Sequence, residues 1–329
     1  MVAVSDDDEG TDPALEAVHE VYPTLVWESA ERTEEGWDHV ALILRGCSGA
    51  DARGHADLVF RFPTDSHAYE RLPHEVEVLD HLATRVDVAV PRYTHRPASL
   101  DGGGLRFAGY PMIRGDRLTP ELLAALSPTE RTSLAAQIGG LLSALHVLDT
   151  SSSPIDRVPA AYQPENLDFA RQVLATDLPE VFTEDELSTA REICHEVAAL
   201  LADRAGSGSP VVFLHNDLAP RHLYWQRETT AAPGRLGVID FTDMCLGDPA
   251  ADFAGLYDYG PAFVDEVLAH YVGRIHPRPG EADLLGRAWT YRRLEALFLV
   301  AAHLRYGIQT WPQARAMFDH SRSPHRPRA

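Results

Sequence analysis

Asp217 and Asp240 stand at the ends of two short apolar runs, Val211–Leu214 and Leu236–Ile239, that read as buried strands. A carboxylate at a buried strand end is costly unless a cation or a hydrogen-bond donor meets it, so both positions invite chemistry. His222 follows Asp217 by five residues. Phosphoryl transfer asks for this kind of set: one carboxylate to orient an acceptor hydroxyl, a second to hold Mg2+ against nucleotide phosphates, and a further ligand just beyond the first. On this reading Asp217 is the catalytic carboxylate, and Asp240 and His222 are the metal ligands. Neutral imidazole is a competent ligand. The same residues with His215 also make a possible Zn2+ set of a metal hydrolase.

His215-Asn216-Asp217-Leu218-Ala219-Pro220, then Ile239-Asp240-Phe241, then Gly247-Asp248-Pro249 with Asp252-Phe253 form a compound motif. It resembles the catalytic segment of the aminoglycoside phosphotransferase family, antibiotic kinases of protein-kinase-like fold. His222 departs from the commonest family pattern, which has Asn there, and looks like the variant of some aminoglycoside and macrolide kinases. The resemblance implies an α+β, two-lobed fold, with a small antiparallel-sheet N-terminal lobe at 1–113 and a larger helical lobe at 114–329. It also implies transfer of the γ-phosphoryl group of ATP or GTP, with Mg2+, to a hydroxyl of a small molecule. An aminoglycoside is the first candidate acceptor, with antibiotic resistance as the role. A macrolide or another alcohol is the second, and a nucleotide-binding pseudokinase is the reading outside catalysis.

The elements that would carry this chemistry follow. Asp57–Pro63 reads as a strand with one basic residue, Arg61, and Leu72–Leu82 has helical spacing, with Glu75 fourteen residues after Arg61. Arg61 occupies the place of the kinase lysine that meets the nucleotide phosphates, and Glu75 is its natural partner. Arg is a planar fork rather than a point charge; a surface Arg on an edge strand is the plain alternative. Between the expected strands Thr24–Ser29 and Val40–Leu44 lies Arg32–Asp38, which suits a nucleotide loop or a simple hairpin turn. The resemblance assigns Gly36, Trp37 and Asp38 to the nucleotide. Val88–His95 and Leu105–Ile113 are expected to finish the sheet, and the segment around Met112 and Ile113 looks like the hinge that meets the purine.

Beyond Gly115 the pattern turns helical, most clearly over Pro128–Leu148 and Glu184–Ala202. Glu165, Asp168, Asp258 and Glu295 are candidate partners for acceptor ammonium groups. Asp248 and Asp252 read as helix caps or braces of the catalytic loop.

The chain has 329 residues, with 29 basic against 49 acidic, a net charge of −20. That balance argues against nucleic acid and anionic membranes as partners and suits a cationic small-molecule substrate. Every basic side chain is Arg or His, lysine being absent; an acidic surface is equally what high salt or a GC-rich genome would leave. The three cysteines are too few and too scattered for a disulfide framework. No apolar run is long enough to span a bilayer, and the acidic start Met1–Glu9 has no signal-peptide core. A cytoplasmic enzyme is the expectation. Oligomeric state is not written in the sequence.

Overall fold

Leu42, Leu44, Leu58 and Phe60 alternate along two neighbouring strands and are fully buried against Val18, Leu25 and Phe107. This core belongs to the first of two compact units, Met1–Gly115 together with Gly237–Thr242; the second comprises Asp116–Leu236 and Asp243–Ala329. The computed structural model describes residues 12–33, 39–98, 105–227, 229, 234–272 and 284–322. The fold is α+β and protein-kinase-like, with a sheet-based first unit and a helical second one.

The first unit begins with helix α1 (Pro13–Val21), capped by the Asp12 carboxylate on the Ala14 amide. Strands β1 (Ser29–Thr33), β2 (His39–Arg45), β3 (Asp57–Pro63) and β4 (Ala108–Pro111) form an antiparallel sheet in chain order. Helix α2 (Ser66–Leu82) follows β3, its first turn capped by Asp65 on the Ala68 amide. Two expected strands come out differently. Thr24–Ser29 is not a strand, because the Thr24 amide and hydroxyl both turn to the Asp51 carboxylate, at 3.0 and 2.5 Å. Val88–His95 contributes only isolated bridges, Ala89 to Gly237 and His95 to Gly109.

The second unit contains β5 (Asp116–Arg117), α3 (Pro120–Ala124), α4 (Pro128–His146), α5 (Gln163–Thr176), α6 (Glu184–Ser207), β6 (Val212–Leu214), β7 (Leu223–Gln226), the first half of β8 (Arg235–Val238), β9 (Cys245–Gly247), α7 (Ala251–Ala254), α8 (Pro261–Leu268), α9 (Leu284–Tyr306) and α10 (Trp311–Ser321). Helices α4 and α6 start on reciprocal capping boxes, Ser127 with Glu130 and Thr183 with Glu186, each satisfying two otherwise orphaned groups. The helical core is made where α5, α6, α9 and α10 bury Val173, Ile193, Val197, Leu297, Val300 and Phe318.

Glu186 serves two structures at once: it closes its capping box and receives Arg315 of α10. The Arg315 guanidinium, with the Thr183 bonds, pulls its carboxyl down to about 2, against the opposing effect of burial. A depressed carboxyl stabilises the fold above its unfolded value and ceases to do so as pH falls through the folded one. The contribution is therefore expected to fade between about pH 4.5 and 2. Acid unfolding followed by circular dichroism should be less steep in Glu186→Gln than in the parent over that window.

Candidate active site

In the first unit everything converges on Arg61. Its residue is only 7% exposed, on the inner face of β3. Nη1 donates to Glu75 Oε1 of α2 at 2.5 Å and to the Tyr93 hydroxyl at 3.2 Å. Nη2 meets Thr242 Oγ1 at 2.6 Å, Asp240 Oδ1 at 3.1 Å and His39 Nδ1 at 3.1 Å. The pair expected between Arg61 and Glu75 thus forms, and Asp240 joins it through the segment Gly237–Thr242. Asp240 is a non-glycine residue at φ 63°, a costly left-handed conformation. It is held there by Arg61 and by the Thr242 hydroxyl, which donates to Oδ1 at 2.6 Å. Burial raises the Glu75 carboxyl above its ordinary value, against the pull of Arg61. Burial and then the neighbouring guanidinium push His39 down to about 3, so its ring is neutral at physiological pH.

The two residues expected at a hinge have other engagements. Met112 donates its amide to Asp57 O at 3.0 Å, so only its carbonyl remains for a purine, while the Ile113 side chain is buried. Gly36, Trp37 and Asp38 lie outside the described residues.

In the second unit, β6 pairs antiparallel with β9, and the chain leaves β6 as His215-Asn216-Asp217. Asp252, 1% exposed, receives the amides of His215 and Asn216 on its two oxygens, at 3.2 and 2.6 Å. His146 Nε2 also donates to Asp252, at 3.0 Å, and its Nδ1 then accepts from the Tyr271 hydroxyl at 2.7 Å. His146 is thus a fully used core histidine, and Asp252 braces the loop as expected. Asn216 is left-handed at φ 68°. The Asp217 amide donates to His215 Nδ1 at 3.2 Å. Gly255 admits the loop closely, since a Cβ there would lie 2.5 Å from Leu218 O.

Asp252→Asn replaces an acceptor-only group with an amide that must turn one N–H toward a donor. The expected result is a fall in kcat of about 10–100-fold through misplacement of the loop, with the KM for nucleotide little changed. Steady-state kinetics beside a melting curve would show it.

The Asp217 carboxylate is mostly buried, and both its oxygens accept from Arg221 Nη2, at 2.6 and 2.7 Å. His222 Nδ1 lies 2.9 Å from Asp217 O and 3.2 Å from Oδ2. Nδ1 therefore carries the proton, and the ring's lone pair sits on Nε2, the atom suited to a metal. Beside the carboxylate is a cleft of about 70 Å³ lined by Gln163, Asn166, Asn216, Tyr291 and Glu295 on its polar part. Of the four acidic candidates for the acceptor, Glu295 lines it. Asp258 and Glu295 are both bridged to buried Arg292. Asp168 points out on α5, paired with Arg171 at 3.6 Å.

Sequence reasoning passed over Arg221, though a cation four residues after a carboxylate in one turn is an available signal. It also passed over His39 and Thr242, whose roles exist only once three separate segments are together. Asp248 does not reach the catalytic loop; its carboxylate accepts the Ala250 amide at 3.1 Å just ahead of α7 and takes buried Arg287 and partly buried Arg204, both at about 3 Å.

Among the described residues no cluster of three His, Cys, Asp or Glu side chains forms a metal cage. Mg2+ does not ask for one, being bound through one or two carboxylates plus substrate phosphates and water. A half-exposed Asp240 oriented by Arg61 and Thr242 fits that donor chemistry.

A protein-kinase-like scaffold with a braced Asp-bearing loop defines a phosphotransferase. The chain belongs to the phosphotransferase enzyme family, whose sequence profile matches residues 32–297. It is 27% identical over 228 residues to the viomycin phosphotransferase of Streptomyces vinaceus, covering 66% of this chain and 70% of that one. Its fold is similar to that in the GDP complex of wild-type aminoglycoside 2'-phosphotransferase-IIIa, at TM-score 0.74 and 20% identity over 94% of this chain and 97% of that one. It is similar also to apo macrolide 2'-phosphotransferase MphH from Brachybacterium faecium, at TM-score 0.62 and 22% identity over 95% and 99% of the two chains. No helix among the described residues is long and apolar enough to cross a membrane.

Proposed function

We propose that the enzyme transfers the γ-phosphoryl group of ATP or GTP to a hydroxyl of a cationic small molecule, an aminoglycoside first. The supporting observation is the cleft beside Asp217, where Glu295, Asn166, Asn216 and Gln163 stand among Leu218, Ala251, Ala254 and Leu294. Carboxylate and amide groups answer ammonium and hydroxyl groups, whereas a macrolide calls for a wide apolar wall. The net charge of −20 adds a field that draws in polycations. The viomycin, aminoglycoside and macrolide phosphotransferases among its relatives support the reaction class and leave the acceptor to the cleft.

Asp217 accepts the hydrogen bond of the acceptor hydroxyl and takes its proton. A carboxylate held on both oxygens by Arg221 is fixed in direction, which suits a loose phosphoryl-transfer transition state that needs aim more than basicity. Asp240 and His222 would hold Mg2+, which when bound neutralises charge on the phosphates. Arg61, held by Glu75, adds positive charge at the nucleotide, and Met112 and Ile113 border the purine; Gly36, Trp37 and Asp38 are assigned to the nucleotide by the family resemblance alone. Catalysis rests on positioning and charge complementarity rather than a covalent intermediate.

A comparison of kcat/KM across kanamycin-like aminoglycosides and a macrolide decides the acceptor class. Aminoglycosides should lead by at least about tenfold, and Glu295→Gln should raise their KM, since a lost charged hydrogen bond is worth roughly 1.5–3 kcal/mol. A macrolide lead, or an unmoved KM, would refute the acceptor assignment.

A further inference from the structure

His39 is the first residue of β2, 6% exposed, and lies against Arg61 in the cluster that holds Asp240. A guanidinium only donates, so the contact from Arg61 Nη2 makes His39 Nδ1 the acceptor. In the neutral ring the proton then sits on Nε2. That atom is buried and has no hydrogen-bond partner among the described residues. Buried polar groups are nearly always paired, and a donor left without an acceptor invites one from a ligand.

The neighbouring cation cannot easily fill the same part. Arg61 has four terminal N–H groups, and Glu75, Tyr93, Thr242, Asp240 and His39 all call on them. Its charge reaches the nucleotide while its hydrogen bonds stay inside the protein. Among the described residues a donor left over in the cluster is the imidazole N–H, in the cluster that also holds the carboxylate assigned to the metal–nucleotide complex.

We infer that His39 is a nucleotide-binding residue whose Nε2–H donates to a phosphate oxygen of the bound nucleotide. The inference rests on the proposed nucleotide-dependent reaction. Arg61 acts as a bracket whose Nη2 fixes both the tautomer of His39 and the orientation of Asp240. The contact is neutral-to-anion, so it discriminates phosphorylated nucleotides from nucleosides and contributes nothing to recognition of the base.

Calorimetric titration of the full chain with ADP or GDP in Mg2+, beside adenosine or guanosine, tests it. His39→Phe, which keeps an aromatic ring and removes the donor, should weaken diphosphate binding about 10-fold or more and leave nucleoside binding unchanged. His39→Gln, which restores an N–H, should recover part of the loss. Independently of any variant, nitrogen NMR of histidine-labelled wild-type protein should show the Nε2–H resonance move on adding diphosphate and stay on adding nucleoside. Equal losses for diphosphate and nucleoside, an unchanged diphosphate affinity, or an unmoved resonance would each overturn the assignment. Wild-type protein that binds no nucleotide at all would remove the proposed function itself, and His39's role with it.

Discussion

Asp217→Asn is expected to lower kcat by about two to four orders of magnitude, the span assigned to a positioned general base. Nucleotide affinity should stay within about twofold, because the substitution removes a proton acceptor and an aiming group rather than a phosphate contact. The amide is nearly isosteric, and the loop's own supports, Asp252 on the His215 and Asn216 amides and Gly255 under Leu218, remain. Arg221 keeps a hydrogen-bond acceptor in the amide oxygen of the variant, and its own side chain is partly exposed to water. Stability should therefore change far less than turnover. Single-turnover rates, nucleotide titration and a melting curve on the same preparation separate the three effects. Near-full turnover in the variant would remove Asp217 from the chemistry.

The largest expected loss of stability lies elsewhere. Asp248→Ala should destabilise the second unit by about 3–5 kcal/mol, the cost of leaving buried charge uncompensated. Asp248 is 6% exposed and takes Arg287 Nε at 2.9 Å, Arg204 Nε at 3.0 Å and the Tyr291 hydroxyl at 3.2 Å. Arg287 itself is 3% exposed, so without the carboxylate a guanidinium is stranded in the core. The melting temperature should fall by on the order of 10 °C. Replacing Arg287 as well, in Asp248→Leu/Arg287→Met, should recover part of that loss, since a buried ion pair is often matched by apolar residues of similar volume. Chemical denaturation of Asp248→Leu, Arg287→Met and the double variant measures the coupling. Additive losses would mean that the pair does not interact as the geometry indicates.

These two results would separate what the sequence discloses from what it hides. The Asp-bearing loop was legible because its signals are local: an apolar strand, a turn-forming sequence and an acidic residue at the end of the run. Arg61 with Glu75 was legible for a similar reason, one strand and one helix adjacent in the chain with a single basic and a well-spaced acidic residue. The capped helices α4 and α6 carry their start signals in the first turn, and they begin where periodicity places them. Strand pairing was not legible. The strands leading to Asp217 and Asp240 belong to different small sheets, β6 with β9 and β8 with β5 and β7, because three- and four-residue strands carry too little pattern to name a partner. Thr24–Ser29 misleads for a physical reason: its β-branched composition is overridden by the Asp51 carboxylate, 27 residues away. The roles of His39, Thr242 and Arg204 depend on partners distant in the chain, and no single-residue propensity encodes them.

The central claim is transfer of a phosphoryl group from a nucleoside triphosphate to a small-molecule hydroxyl at Asp217. Its most direct test is incubation of purified protein with Mg2+, γ-radiolabelled ATP or GTP and an aminoglycoside, followed by separation of the products, with Asp217→Asn in parallel. The account predicts label on the aminoglycoside in a one-to-one product, strongly reduced in the variant. Label that reaches only inorganic phosphate, or an aminoglycoside labelled equally by wild type and variant, would contradict it.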